Sequence, residues 1–351
     1  MSLKWKFIIN PKSGLGDCIK RWQVAEPVIK EYTTDYSVEY TTGPFQGENF
    51  AKEAINEGFD RIIVVSGDGV VNEVVNGLMS VSEDKRKHVA FGVLPFGTGN
   101  DYNTVLGLPW NPKNAVRTLF EKTAVSPASV GKFTVEETGF SKYFNNVLDT
   151  GISSLVGHAA NLGEGSFIKG PRKYTYLAVK KLFTVKQKKA KITLDDNKPI
   201  DIKLMMVTIG TGKANGGGML CCVDAHPQAD DFNVFITQKV TKLQTLIAIK
   251  RITHGKHKTM KGTIFTRAKE VKLEVEVPIP FQFDGEVYIP DSIGRTLTTK
   301  IVPHAINILY NKEHKSMYWL SKDEVLQGKY PKIAEDREMD HGDARKWQEK
   351  N

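Results

Sequence analysis

Three short turns rich in glycine and small polar residues are the segments of this chain best suited to chemistry. Asn10-Pro11-Lys12-Ser13-Gly14-Leu15-Gly16, Ser66-Gly67-Asp68-Gly69 and Gly97-Thr98-Gly99-Asn100-Asp101 each follow a short apolar run. Where such a run is a parallel strand handing over to a helix, backbone N–H groups and the helix N-terminus point outward and favour an anion. Glycine lets phosphate oxygens approach the backbone and tolerates the positive φ that such turns often need. One turn of this kind is ordinary punctuation; three at equivalent positions predict a phosphate-binding crevice. Asp68 and Asp101 would be repelled by phosphate unless a cation stood between, which predicts a nucleoside triphosphate with Mg²⁺. The pattern is neither a P-loop nor a dinucleotide fingerprint, since no Gly-x-x-x-x-Gly-Lys-Ser/Thr occurs and no Gly-x-Gly-x-x-Gly follows the first run.

The elements that must hold these turns are legible around them. Phe7 to Asn10 reads as a strand, followed by a helix with Trp22, Ala25 and Ile29 on one side. Tyr36 to Thr41 is extended, and Phe50, Ala51, Ala54 and Ile55 recur at helical spacing. Arg61 to Val65 is a continuous apolar run of the kind buried in parallel sheets, and the stripe from Val70 to Met79 marks a helix. Val89 to Leu94 is a further strand, and Ala115 to Phe120 a last helix. Strand and helix in alternation predict a doubly wound parallel α/β sheet over residues 1–125, with ligands at the carboxyl ends of its strands.

From Ser126 the texture changes to β-branched and aromatic runs: Val130 to Val135, Tyr143 to Leu148, Lys191 to Leu194, Ile202 to Ile209, Asn233 to Thr237, Val271 to Val277 and Thr296 to Val302. Asp196-Asn197 is a hairpin signal, and only Tyr174 to Val185 and Leu243 to Ile252 read as helices. A mostly antiparallel β-sandwich over 126–310 follows. The charged segment 311–351 is expected either to pack back on the first domain or to be disordered.

Composition narrows the class. A chain of 351 residues, 40% hydrophobic and 25% charged, is an ordinary globular protein of about two domains. It has no apolar run of the ~18 residues a spanning helix needs. The opening residues read as the first strand of a mature intracellular protein, and three cysteines (Cys18, Cys221, Cys222) suit a reducing compartment. The net charge is +9. Nine Lys or Arg and no acid lie between Ser166 and Leu194, and Glu270 is the only acid from Lys239 to Lys272. Two such stretches favour an anionic partner. His254 and His257 lack neighbours for a metal site and read as surface histidines, while Phe167, Tyr174 and Tyr176 could be core or could enter a membrane surface.

Asn10-Pro-Lys-Ser-Gly, Ser66-Gly-Asp-Gly-Val-Val-Asn-Glu-Val-Val-Asn-Gly-Leu and Leu94-Pro-Phe-Gly-Thr-Gly-Asn-Asp together resemble the diacylglycerol kinase catalytic domain family, which includes sphingosine and ceramide kinases and bacterial soluble lipid kinases. The resemblance continues through Tyr143-Phe-Asn-Asn, Gly151-Ile152, Gly170-Pro-Arg-Lys-Tyr, Gly216-Gly-Gly-Met and Phe283-Asp-Gly-Glu, so it spans residues 5 to 310. It implies an α/β nucleotide domain and a β-sandwich lipid domain with the active site in the cleft between. It implies ATP and Mg²⁺ as cofactors, with ATP phosphates cradled by Asn10, Ser13, Gly14, Ser66, Gly67, Gly69, Gly97 and Thr98. Asn72 and Glu73 would face the same crevice, Asn100 would complete its wall, and Asp68 and Asp101 would meet Mg²⁺. Glu286, or in some members Asp68, would be the base on the lipid hydroxyl.

The implied activity is ATP-dependent phosphorylation of a membrane lipid, diacylglycerol to phosphatidic acid before a sphingosine- or ceramide-type lipid. An NAD-kinase-like soluble kinase and a non-catalytic nucleotide- or nucleic-acid-binding module are the more distant alternatives. No nucleic-acid partner is expected, a homodimer is left open, and the location is cytoplasmic with peripheral membrane contact through Lys169–Lys191. The sequence departs from the family's commoner bacterial Gly-Gly-Asp-Gly-Thr at Ser66 and Val70, and from its Pro-x-Ala-Asp-Gly at Asp231. An acid common near Ser129 is absent.

Overall fold

A computed structural model describes residues 2–168, 172–238, 240–288 and 295–314. The chain divides into two units, Met1–Ser129 joined by the chain from His304 onward, and Val130–Pro303. The division expected at 125 therefore falls four residues later. The one expected at 310 moves inside the last strand, which crosses from one unit to the other.

The first unit alternates strand and helix in the order β1 (Trp5–Ile9), α1 (Asp17–Tyr32), β2 (Tyr36–Tyr40), α2 (Gln46–Asn56), β3 (Arg61–Ser66), α3 (Asp68–Met79), α4 (Glu83–Arg86), β4 (Ala90–Pro95), α5 (Asn103–Leu106) and α6 (Pro112–Glu121). All strand pairs among β1 to β4 are parallel, with Trp5 opposite both Tyr36 and Arg61, and Arg61 opposite Ala90. Every residue of β1 and β4 is buried, as a parallel sheet covered on both faces requires. The helices bury the stripes their spacing predicts: Trp22, Ala25 and Ile29 of α1, and Val70, Val71, Val74, Val75 and Leu78 of α3. Strand to helix takes only a few residues at each crossing, so the three glycine turns sit at the carboxyl ends of β1, β3 and β4.

The second unit contains the later part of β5 (Thr123–Val135), then β6 (Phe140–Phe144), β7 (Val147–Gly151), α7 (Ile152–Asn161), α8 (Arg172–Leu182), β8 (Lys188–Leu194), β9 (Ile200–Gly210), β10 (Phe232–Gln238), α9 (Lys242–Ile252), β11 (Thr263–Ala268), β12 (Glu270–Val275), β13 (Phe281–Phe283), β14 (Glu286–Tyr288) and the first part of β15 (Thr296–Asn311). The pairs β8–β9, β7–β9, β9–β10, β10–β11, β8–β12 and β12–β15 are antiparallel. One core gathers Phe133, Phe144, Ile192, Phe232 and Val271 between the strands. A second gathers Val156, Leu177, Phe235 and Ala248 between the helices and β9–β10. The Asp196-Asn197 signal does mark a hairpin: Asn197 N–H donates to the Leu194 carbonyl, and β8 and β9 pair across it.

Three expectations fail locally. The run Tyr143 to Leu148 is broken into β6 and β7, because the backbone turns at Asn145-Asn146 to bring three N–H groups onto one carboxylate. Helix α7 is absent from the sequence reading, since Ser153, Ser154 and Gly157 weaken its helical signal. Strand β15 runs nine residues beyond Val302. Its last part pairs with β4 in parallel, Asn307 opposite Ala90, and completes the first unit. The segment expected from residue 311 starts by packing there: Asn311 Nδ2 donates to the Gly107 carbonyl, and Lys122 meets Glu313 at 2.9 Å. Residues 315–351, with the expected charged tail, lie outside the described residues.

Candidate active site

The three turns converge within the first unit. A Cβ placed on Gly97 would stand 2.3 Å from Gly67 Cα and 2.6 Å from Gly67 N, so the second and third turns touch backbone to backbone. The first turn closes the group. A Cβ on Gly67 would lie 3.6 Å from Ser13 Oγ, and one on Gly14, whose φ is +61°, 2.9 Å from the Phe96 carbonyl oxygen. The glycine at 97 is thus required by its neighbour turn, beside any need for phosphate to approach. Each turn is also braced from within. Asn10 Oδ1 accepts from Lys12 N–H at 3.0 Å, and Asn100 Oδ1 accepts from Gly97 N–H while its Nδ2 donates to the Gly97 carbonyl. Ser66 is fully buried at the end of β3, whereas Thr98 is exposed.

Asp68 opens α3, where the first turn's N–H groups have no helical acceptor and the dipole favours negative charge. Its carboxylate accepts N–H bonds from Asp101 at 3.0 Å and Tyr102 at 3.1 Å, tying the second turn to the third. Burial pushes its pKa up, and these N–H bonds pull against that shift. Gly69 follows it in the first turn of α3. The Asp68 and Asp101 carboxylates flank Gly99: a Cβ there would meet their nearer oxygens at 2.9 and 3.7 Å. No group of three or more His, Cys, Asp or Glu that could hold a metal occurs among the described residues. A pair of carboxylates beside a helix N-terminus fits a Mg²⁺ that arrives on nucleotide phosphates, the usual mode for that ion.

Two residues expected in the crevice have hydrogen-bond partners within the fold. Glu73 accepts N–H bonds from Phe45 at 3.0 Å and Gly47 at 2.8 Å, so it caps the start of α2. Asn72 is buried within α3, its Oδ1 accepting from Asn76 Nδ2 at 3.0 Å. Arg21, which the sequence did not single out, braces the third turn. Its guanidinium donates to the Pro95 and Trp110 carbonyls and lies 4.4 Å from the Phe96 ring centre.

In the second unit Glu286 is exposed at the head of β14, opposite Phe283. The preceding Asp284 is the residue the motif hides. Left-handed at φ 47°, it accepts N–H bonds from Asn145, Asn146 and Val147 at 2.8, 3.1 and 2.9 Å. Three such bonds on one carboxylate fix the turn that carries Gly285 and Glu286.

A second acid emerges only in the structure. Asp149 on β7 is fully buried, accepts from Ser153 Oγ and Asn215 Nδ2, and is pushed by burial up to about 7. Asn215 Oδ1 in turn accepts from Gln282 Nε2 at 3.1 Å and Gly216 N–H at 2.7 Å. Ser153, Asn215 and Gln282 line a cavity of about 70 Å³ together with Thr237, Thr245 and mostly apolar residues, Val156, Ala178, Met206, Ala248 and Ile252 among them. Lys213 is buried as well, and desolvation pulls it down to about 8.

The acids near Pro227 are matched by cations of the chain itself. Asp230 pairs with Lys269 at 2.8 Å, Asp224 with Lys258, and Asp231 with the Arg267 guanidinium. His257 is not a surface histidine but is buried, with its ring 4.8 Å from Phe235 and 5.0 Å from Phe265.

The raised pKa of Asp149 has a signed consequence. The folded state holds this proton more tightly than the unfolded chain, so stability is highest below the unfolded pKa near 4. It falls as pH rises toward 7, and is flat above. Asp149→Asn mimics the protonated form. Chemical denaturation at pH 4 to 8 is expected to show a smaller decline for the variant, the difference amounting to a few kcal/mol. Parallel wild-type and variant curves would mean that Asp149 is ionised in the fold.

Comparison with known proteins agrees with this architecture. The model of the diacylglycerol kinase catalytic domain matches residues 4–133, and that of the YegS C-terminal NAD kinase beta sandwich-like domain matches residues 146–310. A Mycobacterium tuberculosis (strain H37Rv) protein named diacylglycerol kinase is 27% identical over 285 residues, which cover 81% of this chain and 88% of the relative. Two crystal structures from Bacillus anthracis str. Sterne share the fold. One has a TM-score of 0.71 at 23% identity, covering 88% of this chain and 95% of that one. The other, of a diacylglycerol kinase, has 0.65 at 21%, covering 88% and 97%.

Proposed function

The chain belongs to the diacylglycerol kinase catalytic domain family, and on that premise we propose that it is a lipid kinase which transfers the γ-phosphate of ATP to the hydroxyl of diacylglycerol. The observation that carries the reading is the meeting of three glycine turns at the carboxyl ends of β1, β3 and β4, with Asp68 at the head of α3 among them. Bound ATP and Mg²⁺ would supply the phosphoryl group and the neutralising charge for its transfer.

The chain's part is positioning. Ser13 and Thr98 would present hydroxyls to the phosphates, Gly67 and Gly97 would present backbone without side chains, and Asp68 and Asp101 would hold the cation that rides on them. Asp284 fixes the turn that presents Glu286, the candidate base on the lipid hydroxyl. The mostly apolar cavity of the second unit suits part of a hydrocarbon chain, and Ser153, Asn215 and Gln282 in its lining suit an ester or hydroxyl group.

ATP turnover against a panel of lipids in mixed micelles tests the reading, with diacylglycerol expected to be preferred. A chain that phosphorylates only a soluble alcohol, or nothing, would reject it. The cavity assignment has its own test. Ala248→Leu adds bulk to a wall of about 70 Å³ of space. It should raise KM for long-chain diacylglycerol by ~10-fold, the scale of one misfitted methylene or two, and spare a short-chain substrate. Equal effects on both substrates would place the acyl chain elsewhere.

A further inference from the structure

The helix pair α8 and α9 has two apolar faces rather than one. Inward, Ala178 of α8 and Ala248 and Ile252 of α9 wall the cavity just described. Outward, α9 exposes Leu243, Leu246 and Ile247, with Leu243 at 67%. Phe183, immediately after α8, is 66% exposed, and Tyr176, two helical turns before it and also exposed, meets the exposed Phe167 ring edge to face at 5.5 Å. Lys242 links the groups, its Nζ 5.6 Å from the Phe183 ring centre and bonded to the Phe183 carbonyl at 3.0 Å. A buried inner stripe explains a helix on a core; six large apolar side chains on the other side cost free energy in water and need a second explanation.

The charges choose the occupant. Helix α8 carries Arg172, Lys173, Lys180 and Lys181, α9 carries Lys242, Lys250 and Arg251, and neither carries an acid. Glu164 meets Lys180 and Lys181 at 2.8 Å each and leaves the face strongly positive. A two-fold contact with another copy would set this cationic patch against itself, which Coulomb repulsion opposes. Apolar tips rimmed by lysine match an anionic leaflet, whose headgroups take the cations and whose acyl region takes the tips.

We propose that the outer face of α8–α9 is a membrane-docking surface that inserts Phe167, Tyr176, Phe183, Leu243, Leu246 and Ile247 into an anionic bilayer. The surface rests on the lipid-kinase reading for its purpose, and it gives the helices that wall the acyl cavity a second face in the lipid. It also revises the contact expected over Lys169–Lys191. Lys188, Lys189 and Lys191 belong to strand β8, and Lys169 lies outside the described residues.

Sedimentation of the full chain with phosphatidylcholine vesicles, with and without phosphatidylglycerol, tests the proposal without any turnover. Leu243→Gln/Ile247→Gln should weaken partition by about thirtyfold, the scale of leaving two half-buried aliphatic chains in water. Phe183→Ser should weaken it by about tenfold on the same scale. All three side chains lie outside the cavity lining, so activity on a water-dispersed short-chain diacylglycerol should persist and show that the variants fold. Unchanged partition in both variants would overturn the surface. So would a change from dimer to monomer on gel filtration with vesicle binding intact, because a second copy would then own this face. A wild-type chain that sediments with anionic vesicles but phosphorylates no lipid would defeat the kinase reading and leave the surface standing.

Discussion

Asp68→Asn is expected to lower kcat by ~10²-fold or more, the usual scale for losing an electrostatic element at a phosphoryl-transfer site. The structure adds a second effect. Both carboxylate oxygens of Asp68 receive backbone N–H groups, from Asp101 and Tyr102, and an amide offers only one acceptor in their place. The lost bond should cost ~1–3 kcal/mol and loosen the third turn. Steady-state kinetics therefore belongs beside hydrogen exchange at the Asp101 and Tyr102 amides. Faster exchange with a matching fall in kcat would assign Asp68 to holding the turn. Unchanged exchange with a large fall in kcat would assign it to the reacting phosphate and its cation. Near-normal turnover would remove it from the mechanism.

Gly97→Ala should be the more destructive change to the fold. The added methyl would overlap Gly67 Cα at 2.3 Å and N at 2.6 Å, and neither atom is the flexible end of a side chain. Gly67 sits between the buried end of β3 and the start of α3, so it cannot retreat without moving both. Overpacking of this kind costs ~1–3 kcal/mol or more, and ATP binding should weaken with it because two of the three turns are displaced together. Gly67→Ala provides the contrast, since its methyl would press on Gly97 Cα at 3.3 Å, a tight contact that a far smaller shift relieves. Urea midpoints and nucleotide titrations should rank Gly97→Ala below Gly67→Ala in both respects. Wild-type stability for Gly97→Ala with ATP affinity lost would instead make phosphate approach the reason for glycine there.

What could be read without coordinates follows from how local each signal is. The runs Arg61 to Val65 and Val89 to Leu94 declare buried parallel strands because every position is apolar, and the turns after them declare themselves by composition. The roles of Glu73, Asp149 and Asp284 were hidden for the opposite reason. Each carboxylate is defined by partners far away in sequence: Glu73 by Phe45 and Gly47, Asp149 by Asn215, Asp284 by Asn145 to Val147. No spacing rule encodes those contacts. The acid in Asn-Glu after Gly-Asp-Gly looks like part of a phosphate site, yet helix packing gives it to α2. Helix α7 failed for a related reason, since its small residues are chosen for tight packing at the expense of helical propensity. Within the basic stretch, Arg172 to Lys181 fall on helix α8 and Lys188 to Lys191 on strand β8.

Strand β15 has a consequence for how the molecule can be made. It starts in the second unit and ends hydrogen-bonded to β4 of the first, so the first unit is assembled from two separated lengths of chain. During synthesis, residues up to Ser129 leave the ribosome with one edge of β4 unpaired, and that edge is a fully buried apolar strand in the finished protein. It stays unpaired until Asn307 and Ile308 arrive, after the whole second unit has been made. An unpaired apolar edge is a template for pairing with another chain, so the nascent first unit is most prone to aggregate in the interval the second unit takes to emerge. The three glycine turns are encoded in the first third of the chain, but the sheet that aligns them closes only when β15 arrives.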